Sequence, residues 1–369
     1  MTRAIIVAAL VSRTGSLGAA FSDLTAFDGA WYAHIVSEGY NYSPDGHQYD
    51  VAFFPLYPAL VWLAMRTGAS FAVASLAISN VAFLGALFVA FAWMRARASA
   101  SAARWTVATL CCSPLSLFCS AAYSESLFLL LTGAALLDWS GGRSRIVALW
   151  ALLASATRLI GISFAPAFAV RRAWLPAAAS LAGTVGFAIF CAVKFGDPLA
   201  FVHAQAAWRP QSGFNGRAWQ DLLGAGVATA PWLHAIAAIA AVALFVVHRR
   251  AAIGLQTLLW FVLLEAERWA WNGSEYVFLF TLIAASCAIA FRRSLGAVAL
   301  TALLAGVALI AVAGPPLSVD RLAYGLLPAS AALALLWTRV PAMGLAALAV
   351  MVIDLVEFSV RFSEQRFIA

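Results

Sequence analysis

Lysine is nearly missing from this chain: of 23 basic residues only Lys194 is a lysine, and the others are arginine. Charge of any kind is scarce, at 11% of the 369 residues against 64% hydrophobic. A soluble domain carries about 25% charged residues, so an ordinary soluble enzyme is excluded. The net charge of +7 does not point to nucleic acid, because the arginines punctuate the ends of apolar segments and form no face or tail. Cys111, Cys112, Cys119, Cys191 and Cys287 all fall inside apolar stretches and read as small buried hydrophobes, which leaves no disulfide framework. The histidines His34, His47, His203, His234 and His248 do not cluster at ligand spacing, so no metal site and no divalent-metal cofactor are expected. There is no Gly-rich phosphate loop, no evident internal repeat and no cytosolic stretch large enough to bind ATP or a nucleotide sugar. The preference for arginine and alanine suggests a GC-rich bacterial genome.

What remains is an all-α polytopic membrane protein, read as one integral-membrane unit over 1–369. About 13 transmembrane helices, some short or broken, satisfy the hydropathy. Their cores are 4–20, 70–92, 104–120, 124–139, 146–157, 159–170, 174–193, 230–247, 252–266, 275–291, 295–313, 322–338 and 341–357. With the N-terminus in the cytoplasm, the inner turns hold Arg95, Arg97, Arg104, Arg143, Arg145, Arg171, Arg172, Arg249, Arg250, Arg292, Arg293 and Arg339. Nearly every acid then falls on or near the other side, Asp138 excepted. Segment 53–66, interrupted by Pro55 and Pro58, is short for a crossing and reads as a juxtamembrane helix. The pair 146–157 and 159–170 reads as a broken or re-entrant hairpin with Arg158 at its apex, a feature tolerated where it lines a cavity or packs on protein. Two extracytoplasmic loops are long enough to do chemistry, 21–69 and 195–229.

The first of these is acidic. From Phe21 to Asp50 it carries Asp23, Asp28, Glu38, Asp45 and Asp50 with no Lys or Arg. Asp28, in Phe27-Asp28-Gly29-Ala30-Trp31-Tyr32, fits two compatible roles: a helix cap, or a base that deprotonates a hydroxyl brought to the membrane surface. Asp23 is a partner or a solvated acid, His34 a packing residue or a catalytic one. Trp31 and Trp208, with Trp219, are loop aromatics able to stack on a sugar or an isoprenoid. Ionisable groups at membrane depth cost about 2.5–3.5 kcal/mol each, so each calls for a reason. Glu125 lines a cavity or caps its helix. Arg158 and Arg268 either grip a phosphate or anchor the fold, with Glu265, Glu267 or Glu275 as partners for Arg268. Arg13 lies inside the first apolar segment.

Phe27-Asp28-Gly29-Ala30-Trp31-Tyr32, Glu38-Gly39-Tyr40 and Ala52-Phe53-Phe54-Pro55-Leu56-Tyr57-Pro58 resemble the PIG-V-type mannosyltransferases, the GPI mannosyltransferase II group and its bacterial relatives. Ser113-Pro114, Tyr123-Ser124-Glu125-Ser126-Leu127-Phe128, Thr157-Arg158 with Gly161, and Phe195-Gly196-Asp197-Pro198 with Phe201, Gln205 and Trp208 extend the likeness. The resemblance implies a GT-C glycosyltransferase fold and an inverting transfer from a polyprenyl-phosphate sugar, best guessed as mannose. The acceptor would be a hydroxyl of a glycan or lipid on the extracytoplasmic face. Asp28 would be the base, with Arg158 and Arg268 facing the donor phosphate and Tyr57 and Glu125 beside it. The lipid-linked sugar would be a substrate, with no cofactor. A transporter or lipid flippase also accounts for the hydrophobicity and the arginines, though not for the acidic aromatic loop, and a non-catalytic subunit of the same fold is a third reading.

Overall fold

The computed structural model describes residues 2–207, 216–217, 220, 230–247, 252–271, 274–313 and 319–364, and among these there is no strand. In chain order the helices are α1 (Thr2–Thr14), α2 (Leu17–Asp23), α3 (Asp28–Glu38), α4 (Leu56–Met65), α5 (Phe71–Arg97), α6 (Ala100–Cys112), α7 (Glu125–Ser140), α8 (Ser144–Thr157), α9 (Phe164–Ala169), α10 (Trp174–Phe195) and α11 (Ala200–Ala206). They continue as α12 (Pro231–Val247), α13 (Ile253–Trp271), α14 (Ser274–Ala290), α15 (Arg292–Leu295), α16 (Ala297–Ala313), α17 (Val319–Tyr324), α18 (Leu327–Arg339) and α19 (Pro341–Ser363).

Among the described residues three helices, α5, α10 and α19, are each long and apolar enough to cross a bilayer. Their outward faces carry bare apolar side chains, such as Val81, Phe88 and Val193, as a lipid-facing surface requires. Two expected single crossings are broken. Segment 4–20 splits into α1 and α2, bent by 108°. Gly15 takes a left-handed φ of 77° and the Ser16 hydroxyl accepts from Ala19 N–H at 3.2 Å, so the chain starts a new helix there. Segment 104–120 ends as α-helix at Cys112 and continues as a 3-10 turn, Pro114–Cys119. Pro114 has no N–H to continue the ladder. Among the described residues the count of about 13 crossings is not confirmed. Segment 53–66, read as a juxtamembrane helix, contains α4, ten residues long.

α7 and α18 form the middle of the bundle, buried over nearly all their length. α5 packs on α7, where Gly85 of α5 faces Leu130 and Gly133 of α7 faces Val89, glycines that let the backbones approach closely. One apolar core runs from Ile6 to Phe362. At one end of the bundle the Arg97 guanidinium donates to the Ser294 carbonyl at 3.1 Å and the Arg293 carbonyl at 3.3 Å. A Cβ on Gly296, whose φ is 83°, would lie 2.7 Å from Arg97 Nη2, so glycine admits this contact. Two of the arginine-rich turns that the charge rule places on one side thus meet. Asp138, the acid out of place, accepts from Arg143 at 3.0 Å and from the Trp150 indole at 2.8 Å.

Candidate active site

Two helices begin with a carboxylate, and the two carboxylates share one arginine. α3 starts at Asp28 and α7 at Glu125, and neither helix has a side-chain cap from its preceding residue. A first-turn acid is favoured by the partial positive charge of the helix start. Asp28 does not cap: its Oδ2 accepts from Arg321 Nη2 at 2.6 Å, while its own backbone N–H donates to the Tyr123 hydroxyl at 3.3 Å. Glu125 Oε1 accepts from Arg321 Nη2 at 2.6 Å and Nε at 2.8 Å, and lies 2.5 Å from Arg158 Nη1. The Arg321 guanidinium also lies over the rings of Phe118 and Tyr123, at 4.8 and 4.7 Å. Two acids and two arginines make a formally neutral group. Burial is graded across it: the side chain of Glu125 is 1% exposed and that of Arg321 7%, against 14% for Arg158 and 19% for Asp28. Asp28 and Arg158 are the more exposed edge of the group.

The local sequence explains the placement. Phe27 takes a φ of 55° and a ψ of −114°, a conformation that non-glycine residues rarely hold, and its ring packs on Phe362 at 5.2 Å. Gly29 leaves room for Ala122, whose Cβ would stand 3.2 Å from a Cβ there. The Tyr123-Ser124-Glu125 turn is held from below: Tyr32 donates to Ser124 Oγ at 3.0 Å, and Ser79 Oγ donates to the Tyr123 carbonyl at 3.1 Å. Tyr57, buried, bonds the Ser75 carbonyl at 3.1 Å and Ser79 Oγ at 2.9 Å, so it supports this turn and does not itself touch the cluster. Arg158 sits at the break between α8 and the 3-10 turn Leu159–Ser163, in extended conformation (φ −153°, ψ 143°), which confirms the broken helix expected there. Gly161 makes the break possible, since a Cβ would lie 2.8 Å from the backbone of Ala154 and Ser155.

The remaining candidates lie elsewhere. Arg268 is occupied by Glu265 (2.9 Å), Asp354 (2.9 Å) and Glu357 (3.1 Å), joining α13 to α19. Three fixed carboxylates around one guanidinium leave poor prospects for a phosphate, so the anchoring reading suits it better than the donor site. Arg13 pairs with Glu364. His34 Nδ1 is 2.8 Å from Asp50 Oδ2 and its Nε2 3.2 Å from Glu38, within the loop. Trp31 stacks on Phe53 at 6.1 Å. Asp23 ends α2 with Oδ2 buried and unbonded, and burial raises its pKa. The end of α10 and the start of segment 195–229 dock on segment 21–69: Lys194 Nζ donates to the Tyr40 carbonyl at 2.6 Å and Tyr42 to Asp197 at 3.1 Å. Trp208, Trp219 and the Glu275 side chain lie outside the described residues. Among the described residues no three His, Cys, Asp or Glu side chains are arranged as a metal-ligand set.

Arg321 was missed by the sequence reading. A signal was present: it is an arginine on the acid-rich side, next to Asp320, against the charge rule.

Residues 6–172 match the mannosyltransferase (PIG-V) family. The PIG-V match is the resemblance read from the motifs, and it contains Asp28, Glu125 and Arg158 but not Arg321. It supports a glycosyltransferase, and the apolar helices an integral membrane protein. The chain is similar to the Archaeoglobus fulgidus oligosaccharyltransferase tethered with an acceptor peptide containing the NVT sequon (13% identity, TM-score 0.45, 91% of this chain and 50% of that one). It is also similar to that enzyme in complex with zinc and sulfate (12%, 0.41, 86% and 44%). A third similar structure is ArnT from Cupriavidus metallidurans bound to undecaprenyl phosphate (14%, 0.43, 98% and 76%). The chain spans about half the length of the oligosaccharyltransferase. No curated protein sequence matches it.

Proposed function

We propose that the protein is an inverting GT-C glycosyltransferase that moves a sugar, mannose by family resemblance, from a polyprenyl-phosphate donor to an acceptor hydroxyl on the extracytoplasmic face. The observation that carries this reading is the partly exposed Asp28 carboxylate beside two arginines gathered on Glu125. Asp28 takes the proton of the acceptor hydroxyl. The freed oxygen bonds to the anomeric carbon from the face opposite the phosphate, the bond from that carbon to the phosphate oxygen breaks, and its electron pair leaves on the polyprenyl phosphate. In-line displacement inverts the anomeric centre. The leaving phosphate gains a negative charge, and the guanidinium groups of Arg158 and Arg321 stabilise it. The reading calls for no divalent metal, so transfer should persist in chelator.

Trp31, on the same helix as Asp28, is suited to the face of a sugar ring. The test is transfer by the purified chain with a panel of radiolabelled polyprenyl-phosphate sugars. Transfer from one donor, lost on Asp28→Asn, supports the assignment. Absence of transfer from every polyprenyl-linked sugar would overturn it.

A further inference from the structure

Arg321 is claimed twice. In the structure its Nη2 holds the Asp28 carboxylate, yet the proposed reaction needs that carboxylate free and that guanidinium on the donor phosphate. The two demands compete, because Oδ2 already accepts a charged N–H at 2.6 Å and Nη2 spends its two N–H groups on Asp28 and Glu125. An oxygen so engaged has less to offer an acceptor hydroxyl.

Glu125 shows how the conflict is resolved. It gathers both arginines on a single oxygen, Oε1, and leaves Oε2 buried with no hydrogen-bond partner. A buried carboxylate oxygen left without a donor costs free energy, and such groups call for an explanation. The spare oxygen allows an arginine to shift along the carboxylate and remain paired throughout. Glu125 is then a pivot and Asp28 a temporary seat.

We infer that Arg321 is a donor-operated latch: with the donor site empty it holds Asp28, and the arriving phosphate draws it away while Glu125 keeps it paired, releasing the base only once the donor is bound. This rests on the reading under Proposed function and adds its order of events. The charge balance is consistent with it. Asp28 and Glu125 match Arg158 and Arg321 in the empty site. The donor brings one more negative charge, which competes with Asp28 for the guanidinium. Release of the base then coincides with arrival of its electrophile, so that an acceptor arriving first meets an occupied carboxylate. Arg321 is on this account both a phosphate ligand and a positioning residue for Asp28.

The test is a binding cycle on the purified full-length chain with undecaprenyl phosphate as probe. If Asp28 and the phosphate compete for Arg321, Asp28→Asn tightens binding of the probe by about tenfold, the scale of one freed charge-assisted hydrogen bond. That gain disappears in the Arg321→Gln background. An equal gain in both backgrounds would mean simple charge repulsion between Asp28 and the phosphate, and no gain would mean no competition; either sinks the latch while leaving the glycosyltransferase reading intact. Failure of the unaltered chain to bind the probe, together with absent transfer, would remove both. Should Arg321→Gln fail to fold, Arg321→Lys keeps the charge but loses the fork, and the gain from Asp28→Asn shrinks in that background; an undiminished gain there would again count against the latch. Initial-rate kinetics give an independent readout: donor adds first in the unaltered enzyme, and Arg321→Lys relaxes the order to random. Strict acceptor-first addition is incompatible with the latch.

Discussion

Arg321 Nη2 reaches Asp28 Oδ2 at 2.6 Å across 293 residues of sequence. The contact joins the acidic first loop to the helix that follows the segment 314–318, and it passes through Glu125 at the start of α7. A buried group of this kind is weak evidence for stability, because the desolvation of four charges offsets their attraction. In a chain so poor in charge its presence calls for a reason, and the proposed reaction supplies one.

The two arginines singled out from the sequence are expected to behave differently. Arg158→Ala removes a guanidinium at the exposed edge of the cluster and should raise the KM for donor roughly tenfold or more, the value of one charge-assisted contact. Arg268→Ala strands Glu265, Asp354 and Glu357 between α13 and α19 and should lower stability by about 3–5 kcal/mol while donor KM in the folded fraction is unchanged. Thermal unfolding in detergent, beside steady-state kinetics, separates the two. A donor defect in Arg268→Ala with normal stability would return that residue to the active site.

Three members of the cluster were legible as residues that needed a reason: Asp28 in the aromatic loop, Glu125 and Arg158 in apolar surroundings. Their convergence was not, because pairing across 293 residues is a tertiary fact with no local pattern. Arg321 escaped notice because it borders an apolar run, where an arginine reads as a boundary marker. The break at Arg158 was visible from helix length, whereas those at Gly15-Ser16 and Ser113-Pro114 lay inside runs apolar enough to hide them. Both carried turn residues, and hydropathy outweighed them. The first-turn position of Asp28 was legible, but not that its carboxylate would turn away from the helix start toward Arg321.

Asp50 gives a pH-dependent prediction. It is buried in the first loop, accepts from Asn41 N–H at 2.7 Å and contacts His34, and burial raises its pKa. An acid whose folded pKa is raised binds its proton more tightly folded than unfolded, so stability falls as pH rises from about 3.9 through the folded value. Asn at this position accepts the same N–H and carries no charge. Asp50→Asn should therefore gain in melting temperature relative to the unaltered chain as pH rises from 4 toward neutrality. Parallel curves across that interval would show that ionised Asp50 is not strained by its burial.

The arrangement of charge predicts topology. Position 45 lies in the acidic loop and the turn at Arg292–Arg293, in contact with Arg97, at the arginine-rich end. In a cysteine-free background, Asp45→Cys should react with an impermeant maleimide in intact cells, and Arg293→Cys only after permeabilisation. The reverse pattern would invert the whole assignment and put the active site on the cytoplasmic face.

Asp28→Asn bears on the centre of the proposal. Asparagine is nearly isosteric, and the native carboxylate makes no capping bond that the change would break. Its oxygen can still accept from Arg321, so the α3 start should survive and the protein should insert and accumulate normally. What is lost is a group able to take a proton at neutral pH. General-base catalysis contributes roughly 10²–10⁴-fold, and the fall in kcat should be at least that large, with donor binding tightened. Asp23→Asn, at the end of α2, is the control, because its carboxylate has no bond to either arginine of the cluster and a small effect is expected. Measured by single-turnover transfer, a near-normal rate for Asp28→Asn would move the base elsewhere. Asp23 would then be the next acid to test, since Glu125 is enclosed by the two arginines it gathers.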